Sequence, residues 1–291
     1  GGGDGGPKYQ FNGYPDEFTV HVAAVNATAS DYSADKDLNE WQSGKITITP
    51  QNGYTKISTD NGTTWSNTLV LTEEGNNQIS FCLQKDDGTT TENTTVSYKI
   101  DNTSPAATVQ FTSLTSGSWS KFWNTVSFGL FCKDKANVNV GASDSYSGIA
   151  KAEYLLSDKP FANVSDITGS WTVLPLENGA GNFDITANQK ACVYLRVTDN
   201  VGNASIVNSD GIIVYTDAAQ DTEQINFTKL SGEDKSANVK LNGNTVKAIL
   251  NGTKTIDKSN YTVASDGTIA FKASYLQSLD ADSYTLNIQY N

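Results

Sequence analysis

The sequence predicts an all-β chain made of tandem β-sandwiches. Three observations carry this. Apolar residues recur at every second position in short runs, as in Lys45-Ile46-Thr47-Ile48-Thr49, Gln78-Ile79-Ser80-Phe81-Cys82-Leu83 and Thr95-Val96-Ser97-Tyr98-Lys99-Ile100. A period of two places alternate side chains on one face of a strand. Turn pairs such as Asn52-Gly53, Asn61-Gly62 and Asp87-Gly88 punctuate the runs, and these residues tolerate the positive φ that tight hairpins need. Finally, the pattern around Gly88 returns 114 residues later at Gly202, and that ending on Asp101 returns at Asp217. A repeat of that length is a whole domain, so the chain is a tandem array and not a solenoid.

The elements follow in order. Residues 1–14 are Gly-rich and lack initiator Met, which reads as linker at the start of an excised fragment. Boundaries are expected near 15–104, 105–217 and 218–291. In the first segment Ile79, Phe81 and Leu83 should face inward. In the second, Val193, Leu195 and Val197 should do so, leaving Cys192, Tyr194 and Arg196 outward. Trp65 and Trp171 should each cover an edge of their domain. Pro105 stiffens the first junction, whereas Ala218-Ala219-Gln220 should make the second the softer hinge. The last segment closes on Ser283-Tyr284-Thr285-Leu286-Asn287-Ile288, with one helical turn expected over Tyr275–Leu279.

Particular stretches carry a family resemblance. Ile57-Ser58-Thr59-Asp60-Asn61-Gly62 leading to Trp65, Asp144-Ser145-Tyr146-Ser147-Gly148-Ile149, and Val197-Thr198-Asp199-Asn200-Val201-Gly202-Asn203 resemble elements of bacterial Ig-like domains of Gram-positive surface proteins. In the last of these, Val201 replaces the usual Ala. Val239-Lys240-Leu241-Asn242-Gly243-Asn244 through Tyr290 resembles the Ig-like X-two module of cellulases and cellulosome scaffoldins. The resemblance implies three tandem Ig-like β-sandwich domains and an extracellular, cell-surface or secreted setting. It implies a spacer, adhesive or attachment role more than any chemistry.

Composition narrows the function. The chain carries 20 basic and 32 acidic residues, net charge −12, a balance that repels nucleic acid and anionic lipid. No apolar run reaches membrane-spanning length. Cys82, Cys132 and Cys192 show no metal spacing, and alternation places Cys192 off the inner face, so three separate thiols are expected. His21 is the single histidine; it sits in the strand-like run Phe18-Thr19-Val20-His21-Val22, and no hydrolase, zinc or phosphate-loop motif accompanies it. No catalytic residue and no organic cofactor are expected.

Two kinds of site remain. Calcium is the one cofactor the sequence suggests. Asp144 with Asp199, Asn200 and Asn203 forms a set of oxygen donors if their two turns converge at one end of a sandwich. Asp35-x-Asp37-x-Asn39 imitates the start of an EF-hand loop but has Glu40 where Gly is required and Ile46 where the bidentate Glu belongs. The junction carboxylates Asp101 and Asp217 are further candidates. Trp119 and Trp123 are candidate sugar platforms, since flat rings bury the apolar faces of sugars. The leading reading is a monomeric, non-catalytic stalk or adhesion segment that meets a cell-surface glycan or a host protein. The alternative is an accessory carbohydrate-binding or spacer segment of a secreted carbohydrate-active enzyme or cellulosome component.

Overall fold

The computed structural model describes Gly5, Gly13, residues 16–114 and residues 117–291; apart from the two glycines, the expected linker over 1–14 lies outside the described residues. The chain is all-β, and its contacts divide it into two compact units, Gly1–Ile100 and Asp101–Asn291. Among the described residues no helix is long and apolar enough to cross a membrane.

In the first unit, β1 (Tyr32–Ala34), β3 (Ile46–Pro50) and β5 (Leu69–Leu71) form one sheet. The other runs in the order β2 (Trp41–Gln42), β7 (Thr94–Ile100), β6 (Gly75–Lys85), β4 (Tyr54–Ser58). Between them lie Ile46, Ile48, Phe81, Leu83 and Ile100, all fully buried, with Ile79 partly buried against the same cluster. The inward face of β6 is therefore the expected one. Trp65 is half-buried and lies over Gly62, where an added Cβ would stand 3.1 Å from its ring. It supports the hairpin and does not enter the core. Asp60 organises that hairpin by accepting from Ser58 Oγ at 2.6 Å, Thr64 N at 2.8 Å and Thr64 Oγ1 at 2.6 Å.

The second unit begins with a larger sandwich. One sheet runs β13 (Ala180–Thr186), β10 (Lys135–Ser143), β8 (Ala106–Phe111). The other runs β12 (Thr172–Leu174), β11 (Ile149–Ser157), β14 (Gln189–Asp199), β15 (Ala204–Tyr215), β9 (Leu130–Lys133). Val193, Leu195 and Val197 point between the sheets and are fully buried with Val109, Phe111, Val138 and Ile185. Cys192 and Tyr194 do occupy the opposite face, yet both are fully buried. The expectation that this face meets solvent is corrected: Phe122, Val126, Phe128, Phe161 and Trp171 cover it as a second apolar layer. Tyr194 Oη accepts from the Phe161 amide at 2.9 Å. Trp171 takes the guanidinium of Arg196 at 4.3 Å from its ring centroid, while Arg196 Nε donates to the buried Glu153 at 2.9 Å. All three cysteines are free.

The last strands are β16 (Ala219–Gln220), β17 (Lys235–Lys240), β18 (Val246–Asn251), β19 (Lys254–Thr255), β20 (Tyr261–Val263), β21 (Thr268–Phe271) and β22 (Leu286–Tyr290). They form the sheets β16-β17-β21-β20 and β19-β18-β22 around Val239, Ile249, Ile256, Tyr261, Ile269 and Phe271. The helical turn spans Ala273–Ser278. The expected soft hinge beyond Asp217 is instead tied down. Asn242 Nδ2 donates to the Asp217 carbonyl at 2.8 Å and Asn244 Nδ2 to the Thr216 carbonyl at 2.7 Å. Gly243, at φ 82°, closes against Asn188, whose Cβ would stand 2.8 Å from a side chain at that position. Only a glycine meets both demands, because it has no Cβ and accepts positive φ freely.

Truncating Leu195 to Ala should cost about 2–5 kcal/mol, from lost burial plus the cavity left behind; chemical denaturation of wild type and variant measures it, and a loss under about 0.5 kcal/mol contradicts the packing. A second expectation concerns acid. The hydroxyl of Ser58, then the hydroxyl and amide of Thr64, hold the Asp60 carboxyl down at about 2, against an ordinary 3.8. A lowered folded-state value stabilises above the ordinary range, and that contribution is lost as pH falls through about 2. A carboxyl NMR titration should place its midpoint there, and a midpoint near 3.8 contradicts the hairpin network.

Candidate functional site

The antiparallel register of β11 and β14 sets Ile149 opposite Asp199. That pairing brings the turn before β11 against the turn after β14. Asn200 N donates to the Gly148 carbonyl at 3.0 Å, and Asn200 Nδ2 to the Ser147 carbonyl at 2.7 Å. The two turns picked out in sequence therefore do converge. Asp144 and Asp199 meet there, and Asp101 joins them: one oxygen from each of the three carboxylates lies within 4.8 Å of the others. A calcium ion with bonds of about 2.4 Å spans oxygens at up to that separation.

Each carboxylate is held by local donors. Asp199 Oδ1 accepts from the Val201 and Asn203 amides, both at 2.9 Å, and Oδ2 from Asn203 Nδ2 at 2.8 Å. Asp101 accepts from the amides of Thr103 and Ser147, each at 3.0 Å, and from Ser147 Oγ. Asp144 Oδ2 accepts from the amides of Tyr146 at 3.1 Å and Gly148 at 2.9 Å. Its Oδ1 is buried and has no hydrogen-bond partner. Asp101 is fully buried and Asp199 is 2% exposed. Burial pushes the Asp101 carboxyl up, but hydrogen bonds from Ser147 and Thr103 outweigh it and leave it below the ordinary carboxylate value.

Asp101, Asp144 and Asp199 are thus the residues that would hold a cation, with bidentate binding or water supplying the rest of the six to eight oxygens calcium takes. Asn200 and Asn203 are brought to the same place, and their amide nitrogens donate to neighbouring oxygens, Asn203 to the Asp101 carbonyl at 3.1 Å as well. They brace the turns. The other acidic loop behaves differently: Asp35 Oδ1 accepts from the Thr47 amide and Asp37 Oδ1 from the Asn39 amide, both at 2.8 Å. These acids organise separate turns and do not form a cluster of three among the described residues. Asp217 ion-pairs with Lys133 at 2.5 Å, away from the three carboxylates.

The aromatic candidates separate. Trp119 is half-buried, edge-on to Phe111 at 5.3 Å between centroids. Trp123 is 49% exposed, and both line a surface cavity of about 250 Å³. Trp123 lies on an irregular strap over residues 121–129, which crosses the outer face of the second sandwich. Backbone and side-chain hydrogen bonds fix the strap to β15. Asn208 N donates to the Lys121 carbonyl at 3.1 Å and Gly211 N to the Ser127 carbonyl at 2.9 Å. Trp123 N donates to Asn208 Oδ1 and Ser127 N to Asp210 Oδ1, both at 2.6 Å. Phe128 occupies the space of a Cβ at Gly211, within 2.4 Å, so the strap seats only over a glycine.

Calcium at ten times its dissociation constant should stabilise the second unit by about 1.4 kcal/mol through mass action. Thermal melts with calcium and with chelator read this, and Asp144→Ala should abolish the difference. A wild-type melt indifferent to millimolar calcium contradicts a cation role for the three carboxylates.

Comparison with known proteins bears on one part of the chain. No curated protein matches it in sequence. Among solved structures, fibronectin(III)-like modules of Clostridium thermocellum CbhA are 15% identical, with 64% of this chain and 94% of that one covered, at a TM-score of 0.30. A tri-modular endo-β-1,4-glucanase from Bacillus licheniformis is 16% identical over 55% of this chain and 34% of its own, at 0.28. Extracellular domains 3–5 of Drosophila OTK are 8% identical over 91% and 98%, at 0.23. Residues 220–291, the segment that folds as β16 to β22, match the family described as Carbohydrate binding domain X2.

Proposed function

We propose that this chain is a non-catalytic, carbohydrate-associated segment of a secreted modular protein. The observation that carries the reading is the match of residues 220–291 to Carbohydrate binding domain X2. It favours the accessory carbohydrate-binding or spacer role over the cell-surface adhesion that the leading sequence reading assigned. The acidic balance, net −12, suits partners without strong negative charge. In this reading calcium at Asp101, Asp144 and Asp199 is structural, neutralising carboxylates that support the end of the second sandwich.

A spacer contribution has its own support. The hydrogen bonds of Asn242 and Asn244 to the Asp217 and Thr216 carbonyls hold the module of residues 220–291 against the end of β15, and a fixed junction sets distance where a loose one does not.

Native gel electrophoresis through a panel of soluble polysaccharides, with pull-down on insoluble ones, tests the binding role. Retardation or capture by at least one neutral glycan is expected. Unchanged mobility and no capture across the panel would overturn the binding role.

A further inference from the structure

We propose that the strap over residues 121–129 presents a stacking site for a neutral polysaccharide, with the Trp123 indole as its platform. The proposal rests on the carbohydrate-associated reading above, but places the contact in the second sandwich, outside the segment matched to the X2 family.

The exposure of Trp123 is the first argument. Its neighbours Phe122, Val126 and Phe128 pack onto the layer formed by Leu155, Cys192 and Tyr194, while Trp123 itself remains 49% exposed. This is not the exposure of a loose loop. The Trp123 amide is bonded to Asn208, which is itself fully buried. A large apolar ring on a fixed backbone contacts a ligand with little ordering cost, and aromatic anchors of this kind supply most of the energy in small contact sites.

The shape of the site sets the ligand's size. At about 250 Å³ the cavity falls below the roughly 300–1,000 Å³ of enclosed small-molecule sites. It therefore holds one ring and leaves the rest of a chain outside. Trp119, Trp123 and Val126 supply apolar wall; Thr125, Ser127 and Asp210 supply polar wall.

Charge sets the class. Among the described lining residues the sole charged group is the Asp210 carboxylate. Its Oδ1 accepts from the amides of Ser127 at 2.6 Å and Gly211 at 3.0 Å, and its Oδ2 from Ser127 Oγ at 3.1 Å. A carboxylate has about four lone-pair sites, so Oδ2 retains capacity for one sugar hydroxyl. An acceptor of this kind receives O–H donors and repels uronates, sulfates and phosphates. Indole stacking adds a stereochemical demand. A pyranose with equatorial hydroxyls offers an unbroken C–H face, whereas an axial hydroxyl lifts the ring off the aromatic plane. The favoured ligand is a neutral hexopyranose chain with equatorial hydroxyls.

The test is native gel electrophoresis of the full chain in hydroxyethylcellulose, a galactan and polygalacturonate, with Trp123→Ala and Trp123→Phe beside wild type. Wild type should be retarded most by hydroxyethylcellulose and not at all by polygalacturonate. Trp123→Ala should weaken that binding about tenfold or more, with Trp123→Phe recovering part of it and both melting like wild type. If Trp123→Ala binds hydroxyethylcellulose as wild type does, the strap site is wrong while the carbohydrate-binding reading stands. If wild type binds no polysaccharide, both fall. Preference for polygalacturonate overturns the ligand class, and loss of folding in Trp123→Ala overturns the claim that this ring serves a ligand and not the fold.

Discussion

Burial of one strand on both faces is the constraint on which the second unit depends. Along β14, Val193, Leu195 and Val197 enter the core between the sheets, while Cys192 and Tyr194 enter the layer under the strap. A strand apolar on both faces cannot sit at a sheet surface; something must cover the second face. The strap is that cover. Its seating depends on two features of the adjacent β15: the side chains of Asn208 and Asp210, which bond to its amides, and Gly211, which leaves room for Phe128. The exposed Trp123 is a consequence of how the cover is pinned.

The same strand ends at Asp199 and so delivers a carboxylate to the end of the sandwich. Like charges at this spacing repel, and the turn amides that donate to them carry no net charge. Asp144 Oδ1 lacks even such a donor. A cation would offset both deficits, which ties the candidate metal centre to the register of β11 and β14. Acidification acts on Asp101 in the opposite sense to binding: because its folded carboxyl lies below the ordinary value, its contribution is complete above the ordinary carboxylate range and is lost as pH falls below it.

Much of this was legible in the sequence, and the remainder was not for physical reasons. Alternation alone identified the inward faces of β6 and β14, since a one-residue slip would exchange them. Turn chemistry marked Asp144 and Asp199 as turn residues, and the register of β11 and β14 is what makes the two turns meet. Asp101 is legible as a candidate carboxylate at the junction, but not as a partner of Asp144 and Asp199, because that approach arises from the pairing of distant strands and carries no local signal. The burial of Cys192 and Tyr194 was missed because the strap that covers them is irregular and has no period to read. Trp119 and Trp123 looked alike in sequence; contact with Phe111 draws the first inward, and the Asn208 bond leaves the second facing out. The docking of the turn Asn242-Gly243-Asn244 onto Thr216 and Asp217 depends on a surface its own sequence does not encode.

The central claim is that the strap is an integral layer of the second sandwich and not a surface loop. Native-state hydrogen exchange tests it most directly. The Trp123 and Ser127 amides should exchange with the same opening free energy as the β14 amides of Val193 and Leu195, because all four open only when the two-sided burial of β14 is lost. Fast exchange at Trp123 and Ser127 while Val193 and Leu195 stay protected would contradict the account.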